Sequence, residues 1–102
     1  MSGDLEKTSR IVDLFEVYGE LLAEKQKNYV RDYYLYDLSL KEVAEEYNIS
    51  RASVLDTIKQ ATKKLEEFEE TLHLLEKRVK IRRILESDME KAEILEELER
   101  IL

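Results

Sequence analysis

A chain with no proline, and with glycine only at positions 3 and 19, has few inexpensive places to turn. Reversals beyond Gly19 fall to residues that prefer regular structure, so long helices are favoured over many short strands. Glu, Lys and Leu dominate, with Val and Ile scattered among them, the composition of helices with a charged outer face. The expected fold class is all-α, and 102 residues suffice for one modest core.

Apolar periodicity places the elements. Ile11, Leu14, Phe15, Tyr18 and Leu22 form one stripe, predicting a first helix over 8–20 that Gly19 ends in a left-handed conformation. A second helix is predicted over 24–36, with Tyr29, Val30, Tyr33 and Tyr34 as its aromatic face. These tyrosines read as core and rim packing rather than as a platform for stacking bases.

The clearest local signals follow. In Leu38-Ser39-Leu40-Lys41-Glu42-Val43, Ser39 can cap a helix over 40–47 while Glu42 reaches back to the Ser39 amide, and Leu38 and Val43 flank this box as a hydrophobic staple. After Asn48-Ile49, Ser50 caps again, and Ile49 and Val54 repeat the staple. Two capped helices eleven residues apart, joined by a tight turn, describe a helix-turn-helix. Ala44 supplies the small residue that the crossing needs, and Asn48 tolerates positive φ in the turn.

From Arg51 onward, Val54, Ile58, Ala61, Leu65, Phe68, Leu72, Leu75 and Val79 are spaced 4-3-4-3-4-3-4, an unbroken heptad stripe. It predicts one extended recognition helix over 51–80, roughly 45 Å long at 1.5 Å per residue. Ser87-Asp88-Met89-Glu90 reads as a third capping box, opening a last helix over 88–101 with Met89, Ala92, Leu95, Leu98 and Leu102 on its apolar side. The division expected is a helix-turn-helix domain over 1–65 and a helical arm over 66–102. The stripe beyond Leu65 exceeds what the short helices can cover and needs the C-terminal helix, a second copy of the chain or both; a homodimer is expected, with Leu65, Phe68, Leu72, Leu75, Val79, Leu95 and Leu98 in its seam.

Glu24-Lys25-Gln26, Tyr33-Tyr34-Leu35, the run Ser39 to Glu46, and Ser50-Arg51 followed by Val54, Asp56, Ile58 and Lys59 together make a pattern that resembles the YlxM family of bacterial helix-turn-helix proteins. The likeness continues through Leu65 to Glu70 and Leu72 to Leu75, covering about residues 8–76. The central part is also similar to region four of the bacterial sigma factors, which reads a promoter element. The resemblance implies a bacterial cytosolic regulatory protein whose gene lies beside those of the signal recognition particle. The implied partners are DNA, the particle's RNA or one of its protein components. Three positions depart from the family pattern: Ala23 stands where a capping Thr or Ser is expected, and Ser53 and Leu55 replace a small and an aromatic residue on the recognition helix.

On that helix the outward positions are Arg51, Ser53, Asp56 and Lys59, with Lys41 at the start of the preceding one. In a helix-turn-helix the first residues of the second helix face base edges, so Arg51 could reach a guanine. The alternative is that these are ordinary surface and the fold is kept as scaffold for a protein-only adaptor. Net charge is −3 over residues 1–23, +1 over 24–65 and −5 over 66–102, for −7 in all. Binding to nucleic acid is therefore expected to be weak, because phosphate neutralisation supplies much of the affinity. Lys77, Arg78, Lys80, Arg82 and Arg83 offer a second place for RNA phosphates. The favoured reading is that they complement the helix terminus and pair, across a dimer, with the acidic last helix, Glu90, Glu93, Glu96 and Glu97.

Catalysis is not expected. Cysteine is absent, His73 is the single histidine and reads as structural, and the Glu66-Glu67 and Glu69-Glu70 pairs read as solvated faces. No glycine-rich loop can hold a phosphate, and no metal, cofactor or small-molecule substrate is expected. The first residues lack the pattern of a signal peptide and no apolar run approaches a bilayer span, so a cytoplasmic protein without membrane contact is expected.

Overall fold

Helix α1 (Ser2–Tyr18) opens the computed structural model, which describes residues 2–102, with side chains from Lys7 onward. A 3-10 turn (Gly19–Leu21) leads into α2 (Glu24–Val30), which widens into a π turn (Arg31–Leu35). Then come α3 (Leu40–Tyr47), α4 (Arg51–Leu72), α5 (Leu74–Leu85) and α6 (Lys91–Ile101). The all-α helix-turn-helix expectation holds, with α3 and α4 as the motif.

Helix α4 is the spine, because α1, α2 and α3 all pack against its apolar stripe. Its first half, through Val54 and Ile58, closes a cluster with Tyr29, Val43 and Ala44. Its second half, through Ala61 and Leu65, closes another with Ile11, Leu14, Tyr18, Leu22 and Val30. Tyr34 packs against both clusters. The aromatic face of α2 is core and rim, as expected: Tyr29 is 2% exposed and stacks at 4.8 Å on Tyr47, while Tyr33 meets Tyr34 edge-on at 5.0 Å.

Several boundaries differ from expectation, each for a local reason. Gly19 is not left-handed. Its missing side chain matters because a Cβ there would sit 3.1 Å from the Phe15 ring. The Ser87 box does not form. The Ser87 hydroxyl instead donates to the Ile84 carbonyl at 2.5 Å, ending α5, and α6 starts only at Lys91.

The largest correction concerns the extended helix. It stops at Leu72, and His73, at φ 56° and ψ 28°, turns the chain before α5 begins. A left-handed non-glycine residue costs about 1 kcal/mol, so something must hold it. That something is Glu69, read from sequence as solvated but only 8% exposed. Its Oε1 accepts from the Tyr18 hydroxyl at 2.6 Å and from the Leu75 amide at 2.9 Å, and its Oε2 accepts from the Glu76 amide at 3.0 Å. The Tyr18 oxygen in turn accepts from the Leu74 amide at 3.0 Å. One carboxylate and one phenol thus satisfy three of the amides that the first turn of α5 would leave orphaned. The negative charge also sits at the positive end of the helix. Two ion pairs brace α1 across the joint: Arg10 grips Glu66 through two bonds of 3.0 and 2.9 Å, and Arg78 reaches Glu16 at 3.2 Å.

Burial works to raise the Glu69 carboxyl, but Tyr18, the two amides and Arg10 outweigh it and hold the group below the ordinary carboxylate range. Burial, and then the bond to Glu69, pushes the Tyr18 hydroxyl up. A depressed carboxyl adds stability above its unfolded pKa and loses it as pH falls through the folded one. Glu69→Gln should therefore cost about 2 kcal/mol in urea unfolding at neutral pH, with the gap to wild type narrowing as pH falls below the ordinary carboxylate range. A gap that stayed constant with pH would show that the charge on Glu69 does not hold the joint.

Candidate nucleic-acid interface

The motif is assembled by the caps that the sequence advertises. Ser39 Oγ accepts from the Glu42 amide at 3.0 Å while Glu42 Oε1 accepts from the Ser39 amide at 3.1 Å. Ser50 Oγ accepts from the Ser53 amide at 3.0 Å and starts α4. Between them Asn48 adopts φ 54° and ψ 50°, and the Ile49 amide closes back onto the Ala44 carbonyl at 3.0 Å. Ala44 is 6% exposed inside the cluster that joins α3 to α4, which is where a small crossing residue belongs.

A buried polar link fixes α3 against the π turn that follows α2. Asp32, 4% exposed, accepts from the Tyr47 hydroxyl at 2.8 Å, and Arg31 Nε lies 3.5 Å from its other oxygen. Burial first, and Asp32 second, push the Tyr47 hydroxyl up to about 12. Sequence reading missed this link, although an acid three residues after the core Tyr29 was a usable signal. The second helix does lack a capping hydroxyl at Ala23, as noted, but Gln26 Oε1 still accepts from the Ala23 amide at 3.3 Å.

With Val54, Ile58, Ala61 and Leu65 turned inward, α4 presents Arg51, Ser53, Asp56 and Lys59 to solvent, and Lys41 is exposed at the start of α3. Among the described residues, Lys41, Arg51 and Lys59 have no carboxylate within ion-pair distance. Two of the five candidates are engaged locally. Ser53 belongs to the Ser50 cap, its Oγ accepting from the Ser50 hydroxyl at 2.8 Å, and Asp56 accepts from the Gln60 amide group at 3.1 Å. Lys63, which sequence reading passed over, is exposed and lies four residues beyond Lys59, on the next turn of the same face. The face then changes sign at the exposed Glu66, Glu67 and Glu70.

The arm is arranged differently from expectation. Leu65 is fully buried in the chain's own core, and Phe68 and Leu75 pack against the same cluster, so α1 covers much of the seam assigned to a second copy. Leu72, Val79 and Leu95 are exposed and Leu98 is half-buried. Within the basic run, Arg78 pairs with Glu16 on α1 and Lys80 with Glu76 on its own helix at 3.3 Å. Among the described residues, none of the five cations pairs within the chain with the α6 acids. His73 carries the turn, with Nδ1 3.3 Å from Glu76. Among the described residues no group of three or more His, Cys, Asp or Glu could hold a metal ion, and no helix is long and apolar enough to cross a membrane.

Comparison with known proteins places this arrangement in a family. The family model described as "Putative helix-turn-helix protein, YlxM / p13 like" matches residues 5–102. A relative from Lactococcus lactis subsp. lactis, UPF0122 protein YofM, is 50% identical over 88 residues, covering 86% of this chain and 79% of that protein. A UPF0122 protein from Shouchella clausii is 50% identical over 88 residues, covering 86% and 80%. One from Bacillus cereus strain AH187 is 53% identical over 73 residues, covering 72% and 66%. The chain belongs to this family, whose description is of a helix-turn-helix protein and not of an enzyme.

The packing of the motif is directly testable. Ala44→Leu should force α3 and α4 apart and lower stability by about 1–3 kcal/mol in denaturant unfolding, the usual penalty for overpacking a tight contact. Unchanged stability would place Ala44 outside the crossing.

Proposed function

We propose, from membership of that family, a non-enzymatic, cytoplasmic regulatory protein that binds duplex DNA by setting the first half of α4 into a major groove. The observation that carries the reading is the exposed, unpaired cationic face of Arg51 and Lys59 opposite the buried stripe of α4. Lys41, at the start of α3, is positioned as a backbone contact. Arg51 is the candidate for a guanine edge, where two donors match two acceptors. Asp56 adds a negative charge to that face, and the engaged Ser53 hydroxyl is a weaker reader than a free one. An accessory role in the signal recognition particle pathway is supported by the resemblance alone, which makes the particle's RNA the natural second probe. The basic run of α5, in which Lys80, Arg82 and Arg83 are exposed, favours that RNA as an alternative ligand.

Filter binding of the full chain to duplex DNA and to the particle's RNA, at two salt concentrations, tests the reading. Binding of micromolar strength or weaker is expected at physiological salt, since few phosphates can be neutralised. Arg51→Ala should cost about 1–3 kcal/mol and relax sequence preference, while Lys41→Ala should weaken all sequences alike and reduce the salt slope by about one. No retention of either nucleic acid at low salt would replace this reading with that of a protein-only adaptor. A silent Arg51→Ala, with binding abolished by charge reversal from Lys77 to Arg83, would move the ligand to the arm.

A further inference from the structure

Helices α5 and α6 pack on each other as a hairpin whose two flanks differ in character. Glu76, Lys80 and Arg83 from α5, with Glu97 and Arg100 from α6, line a polar groove along one flank. Helical phase, about 100° per residue, turns Leu74, Ile81 and Leu85 of α5 to the opposite flank, beside Leu95 and Leu98 of α6. These side chains are poorly covered: Leu74 is 45% exposed, Leu85 62% and Leu95 55%, while no residue of α6 is buried. A continuous apolar strip left open on a monomer marks an interaction surface.

The edges of the strip identify its occupant. Arg82 borders it on the α5 side, and Glu96 and Glu99 border it on the α6 side. All three are exposed, and among the described residues none has an opposite charge within ion-pair distance. A strip with a cation along one edge and acids along the other is complementary to itself. A two-fold axis running between the helices lays α5 of one copy over α6 of the next, so that each Arg82 meets the partner's acids at both edges. We infer that the flank is the seam of a homodimer in which two α5–α6 hairpins form an antiparallel four-helix bundle. The turn at His73 explains why this seam differs from the heptad stripe. It sends Leu75 into the intramolecular core and brings Leu74, Ile81 and Leu85 outward instead.

Sedimentation equilibrium of the full chain at micromolar concentration tests the seam. A dimer is expected for wild type, and Leu95→Glu should raise its dissociation constant by about tenfold or more, since a charge is placed in an apolar contact. Arg82→Glu and Glu99→Arg should each weaken the dimer, and the double exchange should restore it. Because all three positions are exposed, the circular dichroism of each variant should keep the wild-type helical signal, so that a loss of association is distinguished from a loss of fold. A monomeric wild type overturns the inference and leaves the flank to a different protein. A dimer indifferent to Leu95→Glu, or a double exchange that fails to recover, overturns the proposed pairing.

Discussion

Without glycine beyond position 19, the chain turns at three non-glycine residues held in the left-handed region: Asp37, Asn48 and His73. Each position is unfavourable by itself for a residue bearing a Cβ, so each persists only where its surroundings over-determine it. At Asp37 the Leu38 amide closes onto the Asp32 carbonyl at 3.0 Å, and the Asp32 carboxylate is locked to Tyr47. At Asn48 the following amide closes onto Ala44, between two apolar staples. At His73 the task falls to Glu69 and Tyr18, a charge and a phenol taken out of water. The first two turns build the helix-turn-helix, and the third decides where the rest of the chain lies.

The sequence makes the turn at Asn48 legible, leaves the one at Asp37 unmarked and hides the one at His73. Ser39, Glu42, Ser50 and Asn48 act through neighbours three to five residues away, so spacing alone exposes them. Glu69 acts through Tyr18, 51 residues earlier in the chain, and no local pattern reports that contact. Both residues carry a sign in retrospect. Glu69 follows Leu65 by four, on the edge of the buried stripe, and Tyr18 ends the apolar stripe of α1 with a hydroxyl in need of a partner. A period of 3.5 says which residues share a face, but not whether the helix bearing that face is continuous. The stripe from Val54 to Val79 fits one helix or two, and only the buried carboxylate selects two.

The same argument separates the legible part of the candidate interface from the rest. Arg51 and Lys59 were exposed as soon as the inward stripe of α4 was known, and Lys41 once Val43 and Ala44 were placed inward on α3, since outward positions follow from phase. Their freedom from internal ion pairs could not be read, because it depends on where every acid in the chain finishes. Asp32 is buried, Glu42 is spent on a cap, and Glu66 is held by Arg10. The +1 of residues 24–65 therefore understates the cationic character of the first half of α4, whose outward acid is Asp56 alone. It also overstates the reach of that face, because the helix becomes acidic at Glu66.

Such a helix is polarised along its length, and the polarity bears on how a weak binder would dock. Arg51, Lys59 and Lys63 favour approach of phosphates to the start of α4, while Glu66, Glu67 and Glu70 repel them from its end. At physiological salt exposed charges are screened over about 8 Å, so Arg51 and Lys59, seven residues or more before Glu66, act nearly independently of the acidic end, while Lys63 adjoins it. The acidic end then does little to weaken contacts at the cationic end, but it prevents the duplex from lying along the whole helix. Specificity is pushed towards the first turns, where Arg51 stands. The turn at His73 completes this division of labour. By ending α4, it directs α5 back against α1 and carries the apolar residues of the arm onto helices other than the recognition helix. The surface proposed to read a groove and the surface proposed to pair with a second copy thus belong to different helices, and one joint, held by Glu69, keeps them apart.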